Sequence, residues 1–138
     1  MTDKDLPYFR GMEFKNDGLR DSLTGLIAPN LFYESAERMK SWSDRSGQAL
    51  SMIAIEFNKP TEDELVHAAR MMSAELRGGD LLARLGELSF ALLLVGDHES
   101  AQHVIFRLEN TVKPKANFRF SPINAREPIS KALDRVSI

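Results

Sequence analysis

Short apolar runs alternate with segments of helical period along this 138-residue chain, and few folds accept that order. Leu50-Ser51-Met52-Ile53-Ala54-Ile55-Glu56-Phe57 is mostly apolar yet too brief for a good helix, so it reads as a buried strand. Pro60 ends it, and Thr61-Glu62-Asp63-Glu64 then has the form of a capping box with acids at the positive helix end. Leu65, Ala69, Met72 and Leu76 follow at helical spacing, and Gly78-Gly79 is the expected stop. Leu81–Leu85 and Leu88–Val95 flank Gly86-Glu87, which suits a two-residue type II′ hairpin turn. Ala101, Val104, Ile105 and Leu108 mark a further helix ending near Pro114, and Phe118 and Phe120 alternate on a strand stopped by Pro122. Before this core a helix is expected from Pro29 to about Gly47, and after it another from Ile129 to Val136.

The resulting order, strand–helix–strand–strand–helix–strand, is a split βαβ, ferredoxin-like arrangement: an α+β fold, βαββαβ, with an antiparallel sheet. One face of that sheet is expected to be buried under helices. The length matches roughly one domain by the prior of one per ~150 residues. A single domain over 1–138 is therefore expected, with 1–20 as a loosely packed lead-in and 20–135 as the core.

Charge and composition narrow the function classes. Lys and Arg number 18 against 20 Asp and Glu, a formal charge of −2, which disfavours a broadly basic nucleic-acid grip. The balance is uneven: residues 51–112 carry five cations and ten acids, whereas 113–138 carry six cations and two acids. With no cysteine there is no disulfide framework and no thiolate metal site. The polar start Met1-Thr2-Asp3-Lys4-Asp5 is unlike a signal peptide. No apolar run approaches the ~20 residues of a membrane helix. A cytoplasmic protein without membrane insertion is the expectation.

Few residues point to chemistry by themselves. His67, His98 and His103 are not spaced to put two on one helical turn, so they suggest no metal pair. The acids Glu62, Asp63 and Glu64 are explained by capping before a cation need be invoked. No phosphate-cradling Gly-x-x-x-x-Gly-Lys loop is present. An RNA-recognition fold shares the strand order, but its base-stacking strand would here offer Phe90 alone. Arg77-Gly78-Gly79-Asp80 remains, at a helix–strand junction. An Arg fork suits phosphate or a guanine edge and an Asp suits guanine N–H groups, yet the same four residues also read as an ordinary helix stop and turn.

Two longer stretches carry a family resemblance. Asp21-Ser22-Leu23-Thr24-Gly25-Leu26 resembles the D-x-L-T-G-L opening of GGDEF domains. Arg77 to Leu93 (RGGDLLARLGELSFALL) resembles that family's R-x-x-D-l-x-a-R-x-G-G-D-E-F-a-x-L segment without a gap, and Ser121-Pro122-Ile123-Asn124-Ala125 is similar to its S-i-G-i-A strand. The resemblance spans about residues 20–135 and implies the same βαββαβ order. It also implies diguanylate cyclase chemistry, in which two GTP are joined into cyclic di-GMP with Mg²⁺ held by carboxylates.

This chain departs from the family where that chemistry resides. After Gly86 the signature reads Glu87-Leu88-Ser89-Phe90, so both of its acids are replaced by Leu88 and Ser89. Ala54 stands at the family's other metal-binding Asp, with Glu56 two residues later. The loop bearing a guanine-contacting Asn is absent between Lys59 and the next helix, while Asp63 aligns with a base-contacting acid. Glu56, Asp63 and Glu87 are the acids left to rebuild a weak metal site. The R-x-x-D of the family's inhibitory site persists as Arg77 and Asp80, and Arg107 aligns with an arginine that completes it. The last helix is shortened to Ser130–Arg135 and the final strand is missing, which exposes an edge to a partner. The resemblance therefore implies a catalytically inactive cyclic di-GMP receptor that needs no cofactor and relays its signal to a protein partner. The rival is an interaction domain in the same signalling that binds no nucleotide.

Overall fold

The computed structural model describes residues 16–136, so most of the expected lead-in lies outside the described residues. In chain order the elements are α1 (Pro29–Ser46), β1 (Leu50–Phe57), α2 (Glu62–Ala74), β2 (Leu81–Arg84), β3 (Ser89–Val95), α3 (His98–Thr111), β4 (Ala116–Pro122) and α4 (Ile129–Val136). The sheet is antiparallel with order β2-β3-β1-β4, which is the ferredoxin-like order expected from the sequence.

Local signals act where the sequence places them. Pro29 opens α1, and Gly47 closes it at φ 78°, donating its N–H to Ser43 O at 2.9 Å. The capping box of α2 is complete: Thr61 Oγ1 accepts from Glu64 N at 3.1 Å, and Glu64 Oε1 accepts from Thr61 N at 2.8 Å. Asp97 caps α3 by accepting from Ser100 N at 3.0 Å.

Both faces of the sheet are covered, not one. Ile53, Ile55, Phe57, Phe90, Leu92 and Leu94 pack with α2 and α3 on one side. Met52, Ala91 and Leu93 pack with α1 and α4 on the other. The strands β1 and β3 are central and buried on both sides, which explains why their sequences run apolar instead of alternating. The edge strand β4 alternates half-buried and exposed positions over most of its length.

Three boundaries differ from the sequence reading. First, α2 ends at Ala74, four residues before Gly78, so Leu76 leaves the helix but still packs against the first core. Second, the β2–β3 connection is residues 85–88 and not a two-residue turn, because Leu85 N and Gly86 N both donate to Ser89 O, at 2.9 and 3.2 Å. Third, residues 16–20, the described part of the expected lead-in, are tied to the core by backbone contacts: Asn16 bridges to Asp21, and Ala28 N donates to Leu19 O at 2.9 Å. Arg20 bridges to Ile27, and Ile27 bridges in parallel to Ala83 on β2. Asp21 is 2 % exposed.

Candidate functional site

The two stretches that resemble GGDEF motifs meet in space through a buried ion pair. Arg84 Nη1 donates to Asp21 Oδ1 at 2.9 Å, with side chains 5 % and 0 % exposed. Asp21 Oδ2 accepts from Thr24 N at 2.8 Å and from Thr24 Oγ1 at 2.6 Å. Arg84 Nη2 donates to the Glu87 carbonyl at 2.7 Å. One guanidinium thus ties the Asp21–Thr24 turn to the 85–88 loop. The sequence reading did not find this pair, because nothing in either motif marks residues 63 positions apart as partners.

That loop is where the resemblance aligns the GGDEF signature acids. Gly86 and Phe90 are buried, Glu87 is exposed, Leu88 is 37 % exposed, and Ser89 is half-buried. Phe57 N donates to the Leu88 carbonyl at 3.0 Å, and the Phe57 and Phe90 rings meet edge to face at 5.5 Å. The side chain of Leu88 has no atom that coordinates a metal. Among the described residues no three His, Cys, Asp or Glu side chains are placed to hold a metal ion, so Glu56, Asp63 and Glu87 do not form the cluster considered from the sequence. The donor set does not fit a hard divalent cation, which needs several convergent oxygens. Ala54, at the other aligned metal position, is half-buried and apolar.

Arg77, Asp80 and Arg107, by contrast, line one cleft. Glu75, Val95, Ser100 and His103 also line this open space of about 180 Å³ between the end of α2, the end of β3 and α3. Its geometry follows from the Arg77–Asp80 turn. Asp80 N donates to Arg77 O at 3.1 Å, and Asp80 Oδ2 accepts from Arg77 N at 3.0 Å. Gly79 sits at φ 98°, a conformation that a side chain would strain. The second carboxylate oxygen, Oδ1, accepts from Val95 N at 2.9 Å, just beyond the last β2–β3 pair, Leu81↔Leu93. Asp80 therefore closes its own turn and pins it to β3. Each oxygen of a carboxylate accepts more than one hydrogen bond, so this role leaves acceptor capacity toward the cleft.

The cations differ in their engagement. Arg77 is exposed. Arg107 Nε donates to Glu75 Oε1 at 2.8 Å, with the two side chains 42 % and 26 % exposed. Sequence reasoning missed Glu75. Its one signal was an acid at a helix C-terminus, where the backbone dipole disfavours negative charge. His103 lies 3.9 Å from Glu99 and is 68 % exposed. Chemically, the cleft offers two guanidinium groups and a fixed carboxylate, a set that suits an anion bearing N–H donors.

No family model matches the sequence, and no curated protein matches it. Solved structures do match its fold. The diguanylate cyclase SiaD of Pseudomonas aeruginosa, solved with its activator SiaC, is 25 % identical with a TM-score of 0.79, over 85 % of this chain and 54 % of that one. This chain thus spans about half of that relative's length. The GGDEF domain of DgcB from Caulobacter crescentus, in complex with cyclic di-GMP, gives a TM-score of 0.77 at 12 % identity, over 88 % of this chain and 87 % of that one. A microbial GGDEF domain solved for its interaction mode with cyclic di-GMP gives 0.79 at 11 % identity, over 86 % and 85 %. No described helix is long and apolar enough to cross a membrane.

Proposed function

We propose that this GGDEF-like domain is a catalytically silent receptor for cyclic di-GMP, which it binds in the Arg77–Asp80–Arg107 cleft. The observation that carries the reading is the contrast between two places in one fold. The signature loop presents Leu88 and Ser89 where cyclase chemistry needs carboxylates, while the three inhibitory-type residues share one open cleft. In this reading Arg77 contacts a phosphodiester or a guanine Hoogsteen edge, Asp80 accepts from guanine N–H groups, and Arg107 takes a second guanine or phosphate. Occupancy is then passed to a protein partner. Cyclic di-GMP in the DgcB structure and the SiaC activator on SiaD give precedents for the two kinds of partner.

Two observations favour a nucleotide-independent interaction domain instead. Asp80 already has a structural task, and Phe106, beside Arg107 on α3, is 68 % exposed. Titration calorimetry separates the readings. The receptor gives saturable heat with cyclic di-GMP, lost in Arg77→Ala. No heat from folded wild-type protein at high micromolar ligand refutes it. Incubation with GTP and Mg²⁺ or Mn²⁺ is expected to yield no cyclic di-GMP; turnover abolished by Glu56→Ala would overturn the inactive assignment.

A further inference from the structure

We infer that Glu75 is a built-in competitor that sets the affinity of the cleft by occupying Arg107 until an anionic ligand displaces it. The inference rests on the receptor reading and adds to it a residue that neither the resemblance nor the motif spacing singled out. Three observations support it. Glu75 Oε1 accepts from Arg107 Nε at 2.8 Å, so the carboxylate takes one of the donors that a phosphodiester oxygen would use on that guanidinium. Both side chains line the same cleft as Arg77 and Asp80. Finally, the Glu75 side chain bonds across to α3 and not within its own helix. Glu75 is the C-cap of α2, no basic residue lies in the last turn of that helix, and its backbone N–H, not its side chain, bonds back to Met72 O and Ser73 O. A carboxylate at a helix C-terminus is repelled by the exposed carbonyls, which favour a cation there.

The pair is also open enough to exchange. With side chains 42 % and 26 % exposed, its two groups keep part of their hydration. Such partly solvated pairs are weakly held and screened by salt. A ligand phosphate competes with Glu75 for Arg107 and, while Glu75 stays in the cleft, is repelled by it. The competitor thereby raises the concentration at which the receptor fills, and it discriminates against ligands that lack a phosphate to exchange for the carboxylate.

The test is a calorimetric double-mutant cycle with cyclic di-GMP on the full chain, using Glu75→Gln, Arg107→Ala and the double variant. Glu75→Gln keeps the shape and is expected to tighten binding by about two- to fivefold, the free energy of a partly exposed ion pair. In the Arg107→Ala background the same change is expected to give a smaller gain, because nothing is left to release. Thermal unfolding of Glu75→Gln should match wild type, which separates competition from a change in folding. Unchanged or weaker binding by Glu75→Gln, or an equal gain without Arg107, overturns the competitor while leaving the receptor intact. No binding by any of the folded proteins overturns the receptor reading, and the competitor with it.

Discussion

Replacing Asp21 by Asn tests how the two motifs hold one another. Its carboxylate is wholly buried, accepts from Arg84 on one oxygen, and accepts twice from Thr24 on the other. An amide has one acceptor end and one donor end. In either orientation its NH₂ faces a donor, Arg84 Nη1 or the Thr24 N–H, so no rotation restores the network. The Arg84 guanidinium, 5 % exposed, then loses the carboxylate that its Nη1 meets. Breaking one side of a buried pair costs about 3–5 kcal/mol, against roughly 5–15 kcal/mol of total stability for a domain. With a urea slope of about 2 kcal/mol per molar, the midpoint should fall by about 2 M. The single Trp42, 39 % exposed on α1 and outside the site, provides a fluorescence signal, with far-UV circular dichroism as the second probe. Glu34→Gln is the control: it breaks the Arg38–Glu34 pair, whose side chains are 65 % and 70 % exposed, and should move the midpoint by less than about 0.3 M. A loss below about 1 kcal/mol in Asp21→Asn would show that the buried pair does not hold the two motifs together.

Asp80→Ala is expected to lower stability as well as binding, because the backbone N–H groups of Arg77 and Val95 both lose their acceptor. The loss should be about 1–3 kcal/mol by urea unfolding, and Arg77→Ala should show no comparable loss, which distinguishes a residue that builds the cleft from one that only lines it. Acid should destabilise the fold in a defined direction. The Asp97 carboxyl is held below its usual range by the Ser100 backbone N–H, that of Asp44 by Lys40, and that of Glu127 by Arg135. For carboxyls lowered in the folded state, the stabilisation is present above the unfolded pKa and is lost as pH falls through the folded one. Thermal midpoints should therefore drop below the ordinary carboxylate range, and Asp97→Asn, which keeps a cap without the charge, should flatten that drop. An equal acid response in that variant would remove Asp97 from the explanation.

The element order was legible because its signals are local. Hydrophobic period, the Thr61 capping box, Gly47 and Pro29 act within a few residues of themselves, so they read the same before and after folding. The Arg77–Asp80 turn was legible for the same reason. The hairpin loop was misread because its length is set from outside: the Arg84 guanidinium and the Phe57 N–H hold the carbonyls of Glu87 and Leu88. The end of α2 was misread because Leu76 keeps its place in the core after leaving the helix.

Local signals along the chain set which segments become strand or helix and the ferredoxin-like order in which they follow. Tertiary packing decided which groups distant in the chain meet. It buried Asp21 against Arg84, covered the second face of the sheet with α1 and α4, gave Asp80 to the N–H of Val95, and gave Arg107 to Glu75. The division has a physical cause. Backbone preference and side-chain period are short-ranged, whereas a salt bridge forms between groups that only packing brings within a few ångströms, and its strength depends on the burial that packing creates.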